Sequence, residues 1–210
     1  MARFLVVLDV DSTLIEDEVI ELLADAAGTR DAVAEVTLRA MNGEMDFAES
    51  LRERVATLKG VPASVFAEVA SQITVTTGVP EMIDAVHAAG GTVAVVSGGF
   101  HEVIDGLAAE LGLDHWRANR LEVVDGLLTG NVIPPIIDAQ AKADALQEWA
   151  DADGIPISQT IAVGDGANDL TMMALAGLSV GFDAKAPVRD VADVLLDERD
   201  MRMLLPLMGL

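Results

Sequence analysis

The sequence contains no cysteine, which removes disulfides, thiolate catalysis and zinc-thiolate sites together and fits a reducing, cytoplasmic setting. Bases are scarce: 13 Lys and Arg stand against 35 Asp and Glu, for a net charge of −22. So acidic a chain has no broad electrostatic grip on nucleic-acid phosphates. If its ligand is an anion, a metal ion or a few local bases must reverse the field at the site. Long apolar runs are also missing. The first one is cut by Asp9, too early for the roughly 7–15 apolar residues of a secretory segment. Elsewhere no stretch approaches the roughly 18 residues of a membrane span. Neither a nucleic acid nor a membrane is an expected partner, and there is no internal repeat or low-complexity tract.

What the sequence does hold is core-forming material: 51% of its 210 residues are hydrophobic and the mean hydropathy is +0.40. That separates it from disordered chains, which combine high charge with low hydrophobicity. The length suits one large domain or two small ones. Three Val-rich runs, at 3–11, 92–99 and 159–166, are nearly continuous, as expected of strands buried on both faces of a parallel sheet. Helical patterns at 80–91, 101–112, 138–154 and 168–177 mostly close on glycine, as helices often do. This alternation predicts an α/β, doubly wound, Rossmann-like parallel sheet. Residues 16–72 break the rhythm with four successive helical patterns, which predicts a small helical domain inserted into a core of 1–15 and 73–210. Residues 117–135 predict a hairpin turning at Asp125-Gly126.

In open α/β sheets, ligands bind beyond the carboxyl ends of the strands. The three strand ends deliver Asp9 and Asp11, then Ser97-Gly98-Gly99, then Gly164-Asp165-Gly166. An isolated aspartate reads as a helix cap or turn residue. Asp9, Asp11, Asp165 and Asp169 converging on one edge cannot all stay ionised without a cation. Hard carboxylate oxygens beside a phosphate suit Mg²⁺. The glycines before the helix near Phe100 allow close approach of an anion to free N–H groups, although alone they fit an ordinary strand-to-helix turn equally well. Lys142 alone reads as a solvated lysine, yet phosphoryl transfer in so acidic a chain needs a cation.

These residues resemble the haloacid dehalogenase superfamily. "DVDSTL" at 9–14 carries its D-x-D-x-T signature, Ser97 fits its second motif, Lys142 its third and "GDGAND" at 164–169 its fourth. The stretches "DVDSTLIEDEVIELLA", "MNGEMDFAESLRERVATLKG", "VVSGGF" and "VGDGANDLTMM" are similar to the branch that hydrolyses phosphoserine. The resemblance runs from about residue 4 to 180 and weakens at 114–135. It implies Mg²⁺-dependent hydrolysis of O-phosphoserine through an aspartyl phosphate, the last step of serine biosynthesis. Asp9 would be the nucleophile and Asp11 the acid and base. Asp9, Asp11 (through its main-chain oxygen), Asp165 and Asp169 would hold or support the metal. Ser97, Gly98, Lys142 and Asn168 would hold the phosphate, with Lys142 serving catalysis as well.

The same resemblance makes the inserted helices a cap over the site. It places Glu18 on the ammonium and Arg54 on the carboxylate of the substrate, with Met41 and Phe47 lining the pocket. Without it, Glu16, Asp17 and Glu18 are acids at a helix start, Arg54 is a surface arginine, and Met41 and Phe47 are core residues. His87, His101 and His115 have no metal-ligand spacing and match no role. The chain opens almost at its first strand, so a further regulatory domain upstream is not expected. Two alternatives remain at this stage: another small phosphomonoester, such as phosphothreonine or phosphohomoserine, and a phospho-accepting or phosphate-binding module without turnover.

Overall fold

The Val-rich runs become the centre of a sheet because both of their faces are covered. The computed structural model describes residues 3–41 and 44–210. Among these, seven strands form one sheet: β1 (Leu5–Leu8), β2 (Thr92–Phe100), β3 (His115–Val124), β4 (Leu127–Ile133), β5 (Thr160–Gly164), β6 (Leu178–Phe182) and β7 (Val194–Leu196). Their order is β4-β3-β2-β1-β5-β6-β7. All neighbours are parallel except β3 and β4, which pair antiparallel. The expected α/β doubly wound architecture is thus what the chain adopts.

One face of the sheet presents Val6, Leu8, Val93, Val95 and Val163 to α5 (Val79–Ala88) and α6 (His101–Leu111). The opposite face presents Leu5, Val7, Ala94, Val96 and Ala162 to α7 (Ala139–Asp153) and α8 (Leu170–Leu175). A short α9 (Ala186–Arg189) precedes β7, and a 3-10 segment closes the chain at Met201–Met208. Burial is complete at β1, where all four side chains are inaccessible. Truncating Leu8 to alanine there would cost about 2–5 kcal/mol. Register then fixes the edge that carries the chemistry. Leu8 lies level with Val95 and Val163, so the chain leaves β1, β2 and β5 side by side.

Between β1 and α5 lie α1 (Val19–Ala27), α2 (Arg30–Met41), α3 (Phe47–Ala56) and α4 (Val65–Ala70). Gly28 ends α1 in the left-handed conformation, at φ 69°, which glycine adopts without strain. Asp46 and Glu49 form a reciprocal cap on α3. Two crossings join this layer to the sheet, and they are bonded to one another: Ile15 pairs with Val75, and the Thr76 N–H donates to the Leu14 carbonyl at 3.0 Å. A third attachment lies behind. The Gly60 N–H donates to the Leu128 carbonyl (2.7 Å), the Leu128 N–H to Val61 (2.9 Å) and the Ala63 N–H to Gly126 (2.9 Å).

Two elements differ locally from the sequence expectation, and the predicted hairpin turn forms. The first strand stops at Leu8, and Val10–Leu14 coil into a single wide turn. The last of the four helical patterns within 16–72 forms only as Val65–Ala70, because Pro62 is drawn into a bridge with Leu127 of β4. The predicted hairpin forms with Asp125 at φ 51° and Gly126 at φ 77°, the pair of positive φ values that a two-residue turn between twisted strands requires. Among the described residues no helix is long and apolar enough to cross a membrane.

Candidate active site

Asp9 is the first residue beyond β1, and its backbone N–H still bonds the Val163 carbonyl of β5 at 2.9 Å. Its carboxylate is nearly inaccessible yet fully partnered. Oδ1 accepts the Val10 N–H at 2.7 Å and faces Lys142 Nζ at 2.8 Å. Oδ2 accepts the Asn168 amide at 3.2 Å. Lys142 reaches this point from the first turn of α7 and also meets Asp169 Oδ1 at 2.8 Å. Burial alone would lower the proton affinity of this lysine, but Asp169 and Asp9 outweigh it and raise it. The ammonium is therefore permanently charged at the floor of the site.

Asp169 is fully buried. Burial, then the charge of Asp9, push its carboxyl up to about 7, with Lys142 pulling the other way. Asp165 is raised as well, first by burial, although Lys185 Nζ lies 2.8 Å from its Oδ2 and opposes the shift. Asp9, Asp165 and Asp169 each offer an oxygen within 4.8 Å of the others. Three hard, buried oxygen donors, two of them with proton affinities raised by burial, fit a divalent cation, so this triad could hold a metal ion. The Asp11 carboxylate is not in the triad.

Asp11 instead faces the cavity. Its Oδ1 accepts the Val19 N–H at the start of α1 at 3.2 Å. Burial first, then Glu18 and Asp9, raise its carboxyl well above the ordinary value, which favours its neutral form. Opposite it, the Gly98 and Gly99 backbone lines the cavity. The Ser97 hydroxyl accepts the Gly99 N–H at 2.7 Å. A Cβ at Gly99 would lie 3.0 Å from Ser97 Oγ and 3.3 Å from Asp11 Oδ2, and one at Gly98 would lie 3.0 Å from the Phe47 ring. Glycine at both positions keeps this space open.

The cavity measures about 500 Å³ and runs from Asp9 and Asp11 to the inserted helices, where Glu18, Phe47 and Arg54 line it. Burial raises Glu18, tempered by the Ser12 hydroxyl, which donates to its Oε1 at 2.7 Å. Burial lowers the proton affinity of Arg54, offset by Glu18 and Asp11. A carboxylate and a guanidinium thus face one pocket from α1 and α3, across from a cluster of acids and lysines.

The structure brings together Asp9, Asp11, Glu18, Phe47, Arg54, Ser97, Gly98, Lys142, Asp165, Asn168 and Asp169. The Met41 side chain lies outside the described residues. Two contributors escaped the sequence reading. Lys185, just before α9, reaches Asp165, but no local pattern sets it apart from other lysines. Buried Asn119 on β3 donates to the Gly98 carbonyl at 2.9 Å and accepts the Ile137 N–H at 2.8 Å, clamping the glycine loop. No local signal marked it, because β3 also carries His115, Arg117, Arg120 and Glu122. The three histidines stand apart, each paired with an aspartate: His87 with Asp114, His101 with Asp105 and His115 with Asp153.

The sequence model of the haloacid dehalogenase-like hydrolases matches residues 6–174. A Streptococcus thermophilus protein named Phosphoserine phosphatase is 50% identical over 197 residues, covering 94% of this chain and 92% of that protein. A solved structure described as a substrate-bound phosphoserine phosphatase complex superposes with TM-score 0.93 at 40% identity, covering 99% of both chains. A second, described as a phospho-aspartyl intermediate analogue of phosphoserine phosphatase, has TM-score 0.92 at 40% identity, with 99% of each chain covered.

Proposed function

The chain belongs to the haloacid dehalogenase-like hydrolases, and from that membership we propose that it hydrolyses O-phospho-L-serine to L-serine and phosphate. One observation carries the substrate assignment: the cavity above Asp9 and Asp11 ends in Glu18 and Arg54. These complement the ammonium and carboxylate of an amino acid, the second with bidentate geometry. In this reading residues 16–72 act as a cap over a catalytic core of 1–15 and 73–210. The reaction closes serine biosynthesis in the cytoplasm, a setting that fits a cysteine-free chain.

Asp9 attacks phosphorus in line with the departing serine oxygen, forming an acyl phosphate. Oδ1 is tied to Lys142 and the Val10 N–H, which leaves Oδ2, held only by the Asn168 amide among the described residues, as the attacking oxygen. Asp11, whose hold on a proton is strengthened by burial and by Glu18 and Asp9, gives its proton to the serine oxygen as the P–O bond breaks. The resulting carboxylate then takes a proton from water, whose oxygen attacks phosphorus and releases phosphate and Asp9. Ser97, Gly98, Lys142 and Asn168 bind the phosphoryl oxygens. Asp9, Asp165 and the main-chain oxygen of Asp11, with support from Asp169, would hold Mg²⁺, which when bound would supply charge to neutralise the phosphate.

The test is a panel of phosphomonoesters assayed with Mg²⁺ and with chelator. Phosphoserine should give the highest kcat/KM, above phosphothreonine, phosphohomoserine and sugar phosphates, and chelation should abolish turnover. Equal rates across the panel would overturn the substrate assignment. Tight phosphate binding without turnover of any ester would overturn the enzymatic one.

A further inference from the structure

Ser12 is one of few non-glycine residues with positive φ, at φ 57° and ψ 5°. An L-residue holds this left-handed conformation only when neighbours fix it. Three bonds do so here. The Ser12 N–H donates to the Asp17 carbonyl at 3.2 Å, its hydroxyl to Glu18 Oε1 at 2.7 Å, and its carbonyl accepts from Arg199 Nη2 at 3.2 Å. The third bond comes from the far end of the chain, in the loop after β7.

Arg199 is itself held. Nη1 donates to Asp183 Oδ2 at 3.1 Å, and the guanidinium lies 5.7 Å from the centre of the Phe182 ring. Arg199 does not line the cavity. Glu18, in turn, occupies the cap position of α1 without bonding the helix N–H groups. Its carboxylate is aimed into the cavity, and the Ser12 hydroxyl is its side-chain hydrogen-bond partner among the described residues. A continuous chain of contacts therefore runs from the end of β6 through Arg199 and Ser12 to the acid that faces the substrate.

We propose that Arg199 is a positioning residue for the ammonium subsite, acting through the Ser12 backbone to orient Glu18. The assignment rests on the reading of Glu18 as the ammonium partner given above. Removing the guanidinium takes a charged donor from the Ser12 carbonyl, lets the turn relax toward ordinary backbone angles and swings the hydroxyl off Glu18. Binding of the ammonium weakens, whereas Asp9, Asp11 and the phosphate loop stay in place.

The experiment measures kcat and KM of the full chain with Mg²⁺ on three esters. These are phosphoserine, phosphoethanolamine, which keeps the ammonium and lacks the carboxylate, and 3-phosphoglycerate, which carries a hydroxyl where phosphoserine carries the ammonium. Arg199→Ala should raise KM roughly tenfold for the two ammonium esters, the loss of one charge-assisted hydrogen bond. Its kcat and its kcat/KM on 3-phosphoglycerate should hold. Arg199→Gln, which keeps a donor, should fall between the two and guards against a folding defect in the alanine variant. In a Ser12→Ala background the Arg199→Ala effect should vanish, as expected of two residues acting in series. A loss equal on all three esters, an additive double variant, or an unchanged KM would overturn the proposal. Wild-type protein inactive on phosphoserine would instead overturn the functional reading, and the inference with it.

Discussion

Replacing Lys142 with methionine preserves an unbranched stem of similar length and removes the cation. The ammonium is 1% exposed and 2.8 Å from both Asp9 and Asp169, so the change leaves two carboxylates facing one another without water. Removing one partner of a buried ion pair costs about 3–5 kcal/mol, which for a chain of this size lowers Tm by roughly 10 °C. The pH dependence has a definite sign. An acid whose folded pKa is raised contributes stability that is complete at low pH and lost as pH climbs through the folded value. For Asp169 in the metal-free protein that window runs from 3.8 to about 7. Lys142 is what pulls its upper limit down, so in Lys142→Met the limit moves higher. The deficit relative to wild type should therefore be largest near about pH 8 and shrink near about pH 6, and Mg²⁺ should recover part of it. Urea unfolding in chelator at the two pH values, repeated with Mg²⁺ and followed by the fluorescence of Trp116 and Trp149, reads all three. A deficit below about 1 kcal/mol at alkaline pH, or one that grows on acidification, would refute the reasoning.

Asp9→Asn should lower turnover by at least about 10³-fold while the chain still folds, as judged by circular dichroism. In wild type, acid quench during turnover followed by borohydride should convert residue 9 to homoserine, and its absence would exclude the acyl phosphate. Arg54→Ala should raise KM for phosphoserine about 100-fold, the loss of a buried charged contact, and leave phosphoethanolamine unaffected. Equal damage to both would remove Arg54 from carboxylate recognition. Gly164→Ala would drive a methyl group into the Asp169 carboxylate. It should weaken Mg²⁺ affinity, measured by titration of activity, and unchanged affinity would place Asp169 outside the metal's reach.

What the sequence made legible was whatever depends on neighbours along the chain. β1, β2 and β5 announced themselves because both faces are buried, leaving no polar alternation, and the residues that follow them had to meet once the strands were parallel. The four inserted helices were readable as successive helical patterns within 16–72. β6 and β7 were not, because Ser179 and Gly181 interrupt the first and the second has only three residues. Lys185, Asn119 and Arg199 were invisible for another reason. Each works through a partner 20 to 187 residues away, as Asn119 does on Gly98 and Arg199 on Ser12, and an ordinary lysine, asparagine or arginine has the same letter. Glu18 and Arg54 sit between these cases: their chemistry was plausible alone, but only the closed cavity puts them opposite Asp9.

The backbone bonds from Gly60, Val61 and Ala63 to the tip of the β3–β4 hairpin bear on how a substrate gets in. A lid held by its two crossings alone would swing as a board on a hinge. This one is also riveted at the back, three hydrogen bonds away from the crossings, each worth on the order of 1 kcal/mol. Swinging the whole layer would tear that seam, so admission is cheaper through the unriveted side, by flexing α2 and the start of α3 against a fixed α4. The enzyme then resembles a tent with two pegged edges and one flap. Phe47 opens α3 at that flap, whereas Arg54, in the last turn of α3, and Glu18 stay with the pegged frame, so the apolar wall of the cavity can give way while both charged groups keep their places.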